Sequence, residues 1–230
     1  MPSGDVLPTG DEKVEAVQSM FDAIAPRYDF INRLMTFRLD VKWRKQTVRD
    51  LNLPEGSTVI DLACGTGDFC RDLANGGLSP LGFDLSIGML ANARTEAPLV
   101  QGDALSLPIR PGSVDGATCG FALRNFVELK PFFHELARVV RPGGRIALLD
   151  VCAPDNPLMR MGYDVYFGKV VPVIGGLLSD KAAYSYLPRS LAYLPEPSQM
   201  MGDLRDAGFE DAERILLSGG LTQLIVGTRR

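Results

Sequence analysis

Short apolar runs recur along the middle of the chain, and stretches with helical spacing separate them. Five runs have the length and apolar content of buried strands, and they span 59–62, 80–84, 99–100, 113–120 and 145–151. Three intervening stretches repeat apolar residues at helical intervals, and they span 68–73, 86–96 and 130–140. Strands and helices that alternate in this way predict a parallel sheet with right-handed crossovers.

The two ends of the chain extend this pattern. Apolar residues at helical spacing over 14–43 predict two helices, which Pro26 separates. Near the other end a helix over 198–207 precedes two strands, at 212–217 and 221–227, which face each other across a glycine-containing turn. We expect these two strands to form an antiparallel hairpin that closes the sheet.

One stretch, 152–197, does not fit the alternation. It is too long for a plain connection, and it holds five of the six tyrosines, Tyr163, Tyr166, Tyr184, Tyr186 and Tyr193. We therefore interpret it as a functional insertion. Residues 1–12 are polar and rich in Gly, Pro and Asp, and we expect them to be a disordered tail before a single domain over 13–230.

Composition narrows the classes of function. The 230 residues are 46% hydrophobic, which is enough for one core, and the formal net charge of -4 argues against a nucleic-acid surface. No run of roughly 18 apolar residues is present, and residues 1–5 lack a signal-peptide pattern. The expected location is therefore cytoplasmic. Four cysteines without a Cys-x-x-Cys pair, and a single histidine, predict buried reduced thiols and no metal site.

A glycine pair lies between the first strand and the helix that follows it. Gly65-x-Gly67 lets the chain turn sharply and lets a ligand approach the backbone. A dinucleotide fingerprint would have a third glycine where this chain has Cys70, and Asp61 is an acid suited to an ammonium group. The segment resembles motif I of the class I S-adenosylmethionine (SAM) methyltransferases. This resemblance implies a Rossmann-like α/β fold with a seven-stranded, mostly parallel sheet.

Two further acids extend the predicted SAM site. Asp84 ends the second strand, where a carboxylate can accept hydrogen bonds from a ribose diol, and Asp103 follows the third strand, where it can accept from the adenine amino group. An aspartate at a strand end is often only a cap or a turn residue, but a succession of them at one sheet edge favours SAM over a nicotinamide or flavin. The predicted cofactor residues are Asp61, Ala63, Gly65, Thr66, Gly67, Asp84, Met89, Asp103, Ala104 and Gly120.

Over roughly 17–230 the chain resembles the ubiquinone/menaquinone-biosynthesis C-methyltransferases. The resemblance rests on Phe21-Asp22-x-Ile24-Ala25-x-Arg27-Tyr28-Asp29-x-x-Asn32, Gly120-Phe121-Ala122-Leu123-Arg124-Asn125, Glu135-x-x-Arg138-Val139-Val140-Arg141-Pro142-Gly143-Gly144-Arg145 and Tyr184-x-Tyr186-Leu187-Pro188-x-Ser190. This chain departs from the family at Asp40, where a histidine is common, at Thr36, where a serine is common, and in the segment Leu149-Asp150-Val151-Cys152. These departures fall around the expected acceptor pocket.

The resemblance implies C-methylation of a prenylated quinol, with demethylmenaquinol as the first candidate. Arg124 would lower the pKa of the quinol, and a water held by Arg124, Asn125 and Asp103 or Asp150 would accept its proton. The predicted catalytic residues are Arg124, Asn125 and Asp150. The predicted substrate residues are Tyr28, Asn32, Trp43, Phe121, Tyr163, Tyr166, Tyr184 and Tyr186.

A hydrophobic acceptor also implies a lid over the site. The candidate lid segments are residues about 14–45 and 153–197. The expected apolar wall is Leu158, Met159, Met161, Val165, Phe167, Val170 and Val171. Peripheral contact with the inner face of the cell membrane and a homodimer stay open. Two alternatives also stay open: a methyltransferase for another aromatic or polyketide acceptor, and a SAM-binding module without catalysis.

Overall fold

A seven-stranded sheet forms the centre of the protein. The computed structural model describes residues 9–171, 186 and 189–230; the predictions for residues 1–8 and for Tyr184 lie outside these. The strands are β1 (Thr58–Leu62), β2 (Ser79–Asp84), β3 (Leu99–Gln101), β4 (Val114–Gly120), β5 (Val140–Val151), β6 (Glu213–Leu217) and β7 (Thr222–Thr228). Their order is β3-β2-β1-β4-β5-β7-β6, and β7 alone runs in the direction opposite to the other six strands. The predicted fold and the closing hairpin are confirmed.

Helices cover both faces of this sheet. In the described part of the chain they are α1 (Gly10–Ile24), α2 (Tyr28–Met35), α3 (Leu39–Leu51), α4 (Asp68–Asn75), α5 (Ile87–Ala91), α6 (Leu129–Val139), α7 (Pro157–Val165) and α8 (Pro197–Asp206). Successive residues of β1 point to opposite faces, so Ile60 packs with α6 and α8 while Val59 packs with α3 and α4. A third cluster, which includes Met20, Ile31 and Tyr186, joins α1 and α2 to the insertion.

The N-terminal region differs from its prediction in two ways. Residues 10–12, expected in a disordered tail, form the first turn of α1. Residues 14–43, expected as two helices, belong to three, because Ala25–Arg27 forms a 3-10 turn around Pro26 and the chain breaks again after Met35. Phe37 and Arg38 make this second break with positive φ angles of 51° and 62°. The spacing of apolar residues does not reveal this break, because the break comes from the backbone conformation of two residues.

Two elements of the sheet region also have different bounds. The helix expected over 86–96 is only five residues long, because the Arg94 N–H leaves it to donate to the Thr66 carbonyl at 2.9 Å. Strand β5 begins at Val140 rather than at residue 145. Its register against β4 shifts between Val114 and Gly116, which places the Arg141–Gly144 turn inside a bulge of the strand.

The described part of the insertion is helical, but its apolar side chains do not form the expected wall. Leu158, Met161 and Val165 of α7 are exposed, as are Met159 and Val170. Only Val171 is buried as predicted, in the cluster with α1 and α2, while the side chain of Phe167 is outside the described part. Within that part, no helix is long and apolar enough to span a bilayer.

Candidate functional site

Two cavities meet at the carboxyl ends of the parallel strands. The first cavity is lined by the loops after β1, β2, β3 and β4, and by α1 and α2. The second cavity is lined mainly by α1, α2, α3 and α7. Phe21, Tyr28, Asn32 and Phe121 line both cavities, so the two cavities are adjacent.

The first cavity collects the predicted cofactor residues. Nine line it, namely Asp61, Ala63, Gly65, Thr66, Asp84, Met89, Asp103, Ala104 and Gly120. Gly67 is not among the residues that line it, so its contact with the cofactor stays a prediction. With a φ of 80°, Gly67 starts α4, and an added Cβ would lie 2.4 Å from the side chain of Thr95 rather than in the cavity. Its role is therefore to turn the chain.

Asp61 is a buried acid that faces the first cavity. Its Oδ1 accepts a hydrogen bond from the Thr118 hydroxyl at 2.8 Å, and its Oδ2 accepts one from the Cys70 thiol at 3.6 Å. Neither donor carries a positive charge, and the side chain is only 1% exposed. Burial raises the pKa of Asp61 to about 7. A ligand ammonium in the cavity would supply the missing counter-charge.

The other two carboxylates are held by backbone donors. Asp84 accepts the Gly65 N–H at 2.7 Å and the Ser86 N–H at 2.8 Å, while burial raises its pKa. Asp103 accepts the Leu105 N–H at 2.9 Å. A carboxylate can accept more hydrogen bonds than these, and both residues line the first cavity. The three acids therefore present separate acceptors for an ammonium, a diol and an amine, a set of groups that SAM carries.

Asp22 of α1 and Asp29 of α2 hold the loops of the first cavity, although no role was predicted for either aspartate. Asp22 accepts hydrogen bonds from the Ser86 hydroxyl and, at 2.9 Å, from the Gly88 N–H. Asp29 accepts the Thr66 hydroxyl at 2.5 Å. Both aspartates lie in the segment that carries the family resemblance, which was the available signal. The contacts close α1 and α2 over the cavity.

A buried lysine also joins α1 to the site, and no sequence pattern marked it. Lys13 is 1% exposed, and its Nζ donates to the Phe126 carbonyl at 2.5 Å. The ammonium also lies 3.5 Å from the centre of the Tyr193 ring. Burial lowers the pKa of Lys13 to about 8. The lysine thus links the start of α1 to the loop that carries Asn125.

An ion-pair network supports the same region from the side of α3 and α4. Arg44 lines the first cavity and pairs with Asp40, Asp68 and Asp72 at 2.8–3.0 Å. Burial alone would raise the pKa of Asp68, but Arg44 and Arg33 lower it. The network fixes the first turn of α4, directly after the glycine loop.

The second cavity is apolar and holds most of the predicted substrate residues. Six line it, namely Tyr28, Asn32, Trp43, Phe121, Tyr163 and Tyr166. Trp43 donates its indole N–H to the Ser218 hydroxyl at 2.9 Å and packs 6.3 Å from the Phe121 ring, measured between ring centres. Met20, Ile24 and further apolar side chains of α1 to α3 complete the wall. Such a wall suits a hydrophobic ligand.

Arg124 lines the second cavity, but its charge is already compensated. Its guanidinium pairs with Asp150 and donates to the Ser190 hydroxyl at 3.1 Å, and all three side chains are buried. Asp150 lines neither cavity and also accepts the backbone N–H of Arg124 at 3.2 Å. The contacts that the structure shows for Asp150 are therefore with Arg124, and its predicted catalytic role stays a prediction. Both residues are placed to order the loop after β4.

Asn125 lies on that loop and lines the first cavity. Its Oδ1 accepts a hydrogen bond from the Tyr186 hydroxyl at 3.3 Å. Tyr186 is buried and lines neither cavity, so the contact the structure shows for it is with Asn125, and its contact with the substrate stays a prediction. Burial raises the pKa of Tyr186, which keeps it a hydrogen-bond donor.

The remaining candidate groups in the described residues are the cysteines and the possible metal ligands. The four cysteines are free and buried. Over 9–171, 186 and 189–230, no group of three or more His, Cys, Asp or Glu side chains is placed to hold a metal ion.

Comparison with known proteins adds sequence relatives to this geometry. The pattern that defines the ubiE/COQ5 methyltransferase family matches residues 9–229. A demethylmenaquinone methyltransferase of Roseiflexus castenholzii is 39% identical and covers 98% of each chain. A ubiquinone/menaquinone biosynthesis C-methyltransferase UbiE of Geotalea uraniireducens is 35% identical over 95% of this chain and 98% of its own. A SAM-dependent methyltransferase structure from Thermotoga maritima has a TM-score of 0.65 at 20% identity, covering 93% and 99% of the two chains, which shows the shared fold.

Proposed function

Since the chain belongs to the ubiE/COQ5 methyltransferase family, we propose that it moves a methyl group from SAM to a ring carbon of a prenylated quinol. Demethylmenaquinol, which would give menaquinol, is the proposed acceptor. The observation that carries the proposal is the junction of two cavities of different chemistry. One has three carboxylates at strand ends, the other has apolar walls, and Phe121 is one of the residues that line both.

SAM supplies an electrophilic methyl group on a sulfonium when it is bound. The chain would hold its ammonium at Asp61, its ribose hydroxyls at Asp84 and its adenine at Asp103 and Ala104. Met89, which is 2% exposed and lines the cavity, would pack against the adenine ring. Asp22 and Asp29 would keep α1 and α2 closed over the cofactor, because they bond to the loops that carry these groups.

The second cavity would position the quinol ring against the methyl group. Transfer forms one carbon–carbon bond and breaks one carbon–sulfur bond, and the quinol loses one proton. Arg124 is neutralised by Asp150, so we assign it to positioning the loop rather than to stabilising an oxyanion. Asn125, fixed by Tyr186, would orient a quinol hydroxyl or a water that takes its proton. Catalysis would rest on proximity and alignment of the two ligands.

Two departures from the family pattern bear on the choice of acceptor. Asp40, which replaces a common histidine, is fully buried, pairs with Arg44 at 2.8 Å and lines neither cavity. Thr36, which replaces a common serine, donates its hydroxyl to Asp40 at 2.6 Å. The two substituted residues bond to each other, and Thr36 also lines the second cavity. The proposed quinol acceptor therefore rests on the family and on the apolar walls rather than on these two positions.

The test is an anaerobic assay with SAM and chemically reduced demethylmenaquinone bearing a short prenyl tail, read by mass. We expect one methyl group to be added on carbon, and none with the oxidised quinone. Asp103→Asn is a useful variant, because it should weaken cofactor binding without touching the apolar walls. Methylation of soluble phenols with no product from the quinol would refute the proposed acceptor. Binding of S-adenosylhomocysteine without any transfer would refute catalysis.

A further inference from the structure

Helix α1 forms one wall of the first cavity. Four of its residues line the cavity, namely Val14, Val17, Gln18 and Phe21. Their spacing along the helix places them on one face. The other walls are the loops after β1, β2, β3 and β4. A ligand in this cavity would therefore contact the loops on one side and α1 on the other.

The two ends of α1 are held by different loops. Near the carboxyl end of the helix, Asp22 accepts the Gly88 N–H at 2.9 Å, in the segment after β2. At the start of the helix, Lys13 donates to the Phe126 carbonyl at 2.5 Å, in the loop after β4. Strands β2 and β4 lie on either side of β1 in the sheet. The helix therefore bridges two loops that flank the glycine loop.

Lys13 is a buried cation held by neutral groups. Its side chain is 1% exposed, and its ammonium contacts the Phe126 carbonyl and the face of the Tyr193 ring, 3.5 Å from the ring centre. Neither partner carries a formal charge, and burial lowers the pKa of Lys13 to about 8. Burial of an ammonium without an acidic partner costs free energy. A side chain that the fold holds at such a cost is a candidate for a functional role.

The two contacts of Lys13 lead to Asn125 by separate routes. Phe126 follows Asn125 in the loop after β4, and both residues line the first cavity. Tyr193 lies in the 3-10 turn Leu191–Tyr193, and its ring centre is 6.4 Å from that of Tyr186. The Tyr186 hydroxyl in turn donates to Asn125 Oδ1 at 3.3 Å. Groups near Lys13 therefore hold Asn125 through both its backbone and its side chain.

We propose that Lys13 is a positioning residue that couples the closure of α1 over SAM to the placement of Asn125 for the acceptor. The identity of both ligands rests on the proposed function. SAM would stabilise the closed position of α1, because α1 forms a wall of its cavity. The ammonium would then fix the Phe126 carbonyl and the Tyr193 ring, and through them Asn125. Coupling between two binding sites is reciprocal, so the acceptor would also favour the closed helix.

The first test is amide hydrogen exchange of the full chain with and without saturating S-adenosylhomocysteine. Residues 190–194 line neither cavity, so protection there has to be transmitted from the cofactor cavity. In the unmodified chain we expect the ligand to slow exchange over 190–194 by roughly fivefold or more, which is the lower end of typical coupling. Lys13→Met should lose most of this protection, while the loop after β1 stays protected by the ligand.

Three further variants separate the coupling from a general effect on the fold, each compared with itself with and without ligand. Lys13→Arg keeps a cation and a donor, so it should retain the protection. Lys130→Met is the matched control, because it removes an exposed lysine of α6, and it should behave like the unmodified chain. Tyr193→Leu leaves Lys13 in place and removes the ring beside it, so it should lower the protection even if Lys13→Met does not fold.

The second test measures the coupling at the acceptor. Reduced demethylmenaquinone with a short prenyl tail is titrated anaerobically with and without S-adenosylhomocysteine, which has no methyl group to transfer. The cofactor product should tighten acceptor binding by roughly 5- to 50-fold in the unmodified chain, and by less than about twofold in Lys13→Met.

The proposal would be overturned if Lys13→Met kept the protection of residues 190–194, if Lys130→Met lost it equally, or if Lys13→Met kept the effect of S-adenosylhomocysteine on acceptor binding. The exchange experiment needs no acceptor, so it also separates the two proposals. Transmitted protection that depends on Lys13, together with no binding of the quinol, would count against the proposed acceptor and leave the role of Lys13 in α1 closure standing.

Discussion

Asp61 gives the sharpest test of the first cavity, through the variant Asp61→Asn. The carboxyl is 1% exposed and its pKa is raised to about 7. In the unfolded chain its pKa is about 3.9. The folded apoprotein therefore holds a proton between about pH 4 and pH 7 that the unfolded chain has released. The stabilisation from this group is complete below about pH 4 and is lost as the pH rises through 7.

The size of the effect follows from this difference in pKa. The folded and unfolded pKa values differ by roughly three, which corresponds to at most about 4 kcal/mol in the free energy of unfolding. Asparagine resembles the protonated acid, so the apo variant should be more stable than the unmodified chain at pH 8, by up to about 4 kcal/mol. For a chain of 230 residues this is about 8 °C in Tm. Below pH 4 the two proteins should melt together.

Ligand binding should change in the opposite direction. An ionised Asp61 can pair with the ammonium of S-adenosylhomocysteine, whereas the side-chain amide of the Asp61→Asn variant carries no charge to offer that ammonium. Loss of one charge-assisted hydrogen bond should raise the Kd by roughly 10- to 100-fold. The affinity of the unmodified chain should also fall as the pH drops below 7, and the affinity of the variant should stay flat over the same range.

The measurements are melting curves and calorimetric titrations with S-adenosylhomocysteine between pH 4 and pH 8. Thr118→Val is the matched control, because it removes the hydroxyl that donates to Asp61 at 2.8 Å and leaves the acid in place. The reasoning would be refuted if Asp61→Asn were less stable than the unmodified apoprotein at pH 8 and bound the ligand equally well. Asp61 would then be a structural acid without a role in binding.

Two other predictions concern the loop after β4. Gly120→Ala would place a Cβ 2.4 Å from the Phe69 ring, so we expect the protein to lose about 1–3 kcal/mol of stability and to bind S-adenosylhomocysteine more weakly in calorimetry. The control Gly202→Ala, whose added Cβ has no atom within 4 Å, should be neutral or slightly stabilising. Equal Tm and equal affinity for the two variants would contradict this packing. Arg124→Met and Asp150→Asn should each lower the free energy of unfolding by about 3–5 kcal/mol, because each leaves a buried charge unpaired. In a double-mutant cycle measured by denaturant unfolding, the double variant should lose less than the sum of the two single losses. Strictly additive losses would show that the pair is not coupled.

The elements that the sequence predicted are those with a local pattern. The strand β1 followed by Gly65-x-Gly67 could be identified because buried strands and glycine turns leave apolar runs and small residues. The order of acids at successive strand ends also follows from the sequence, since parallel strands end at one edge. Thus Asp61, Asp84 and Asp103 were predicted to meet, and they line one cavity.

Other features depend on contacts between distant parts of the chain. Lys13 is separated by 113 residues from Phe126, whose carbonyl it meets, and no spacing along the sequence can indicate that pairing. The exposure of α7 is a similar case. Its apolar residues look like core in the sequence, but the face that packs is the one with Tyr163 and Tyr166, so Leu158 and Met161 remain outside.

The sequence by itself determined the sheet, the glycine loop and the three acids, because period, turn chemistry and strand polarity are local properties of the chain. Only the tertiary structure decided which charges remain free. Arg124 reads as an available cation in the sequence, but the fold places Asp150 against it and buries both. The reason is physical: the electrostatic effect of a charge depends on its neighbours in space and on its exposure to water, and folding sets both.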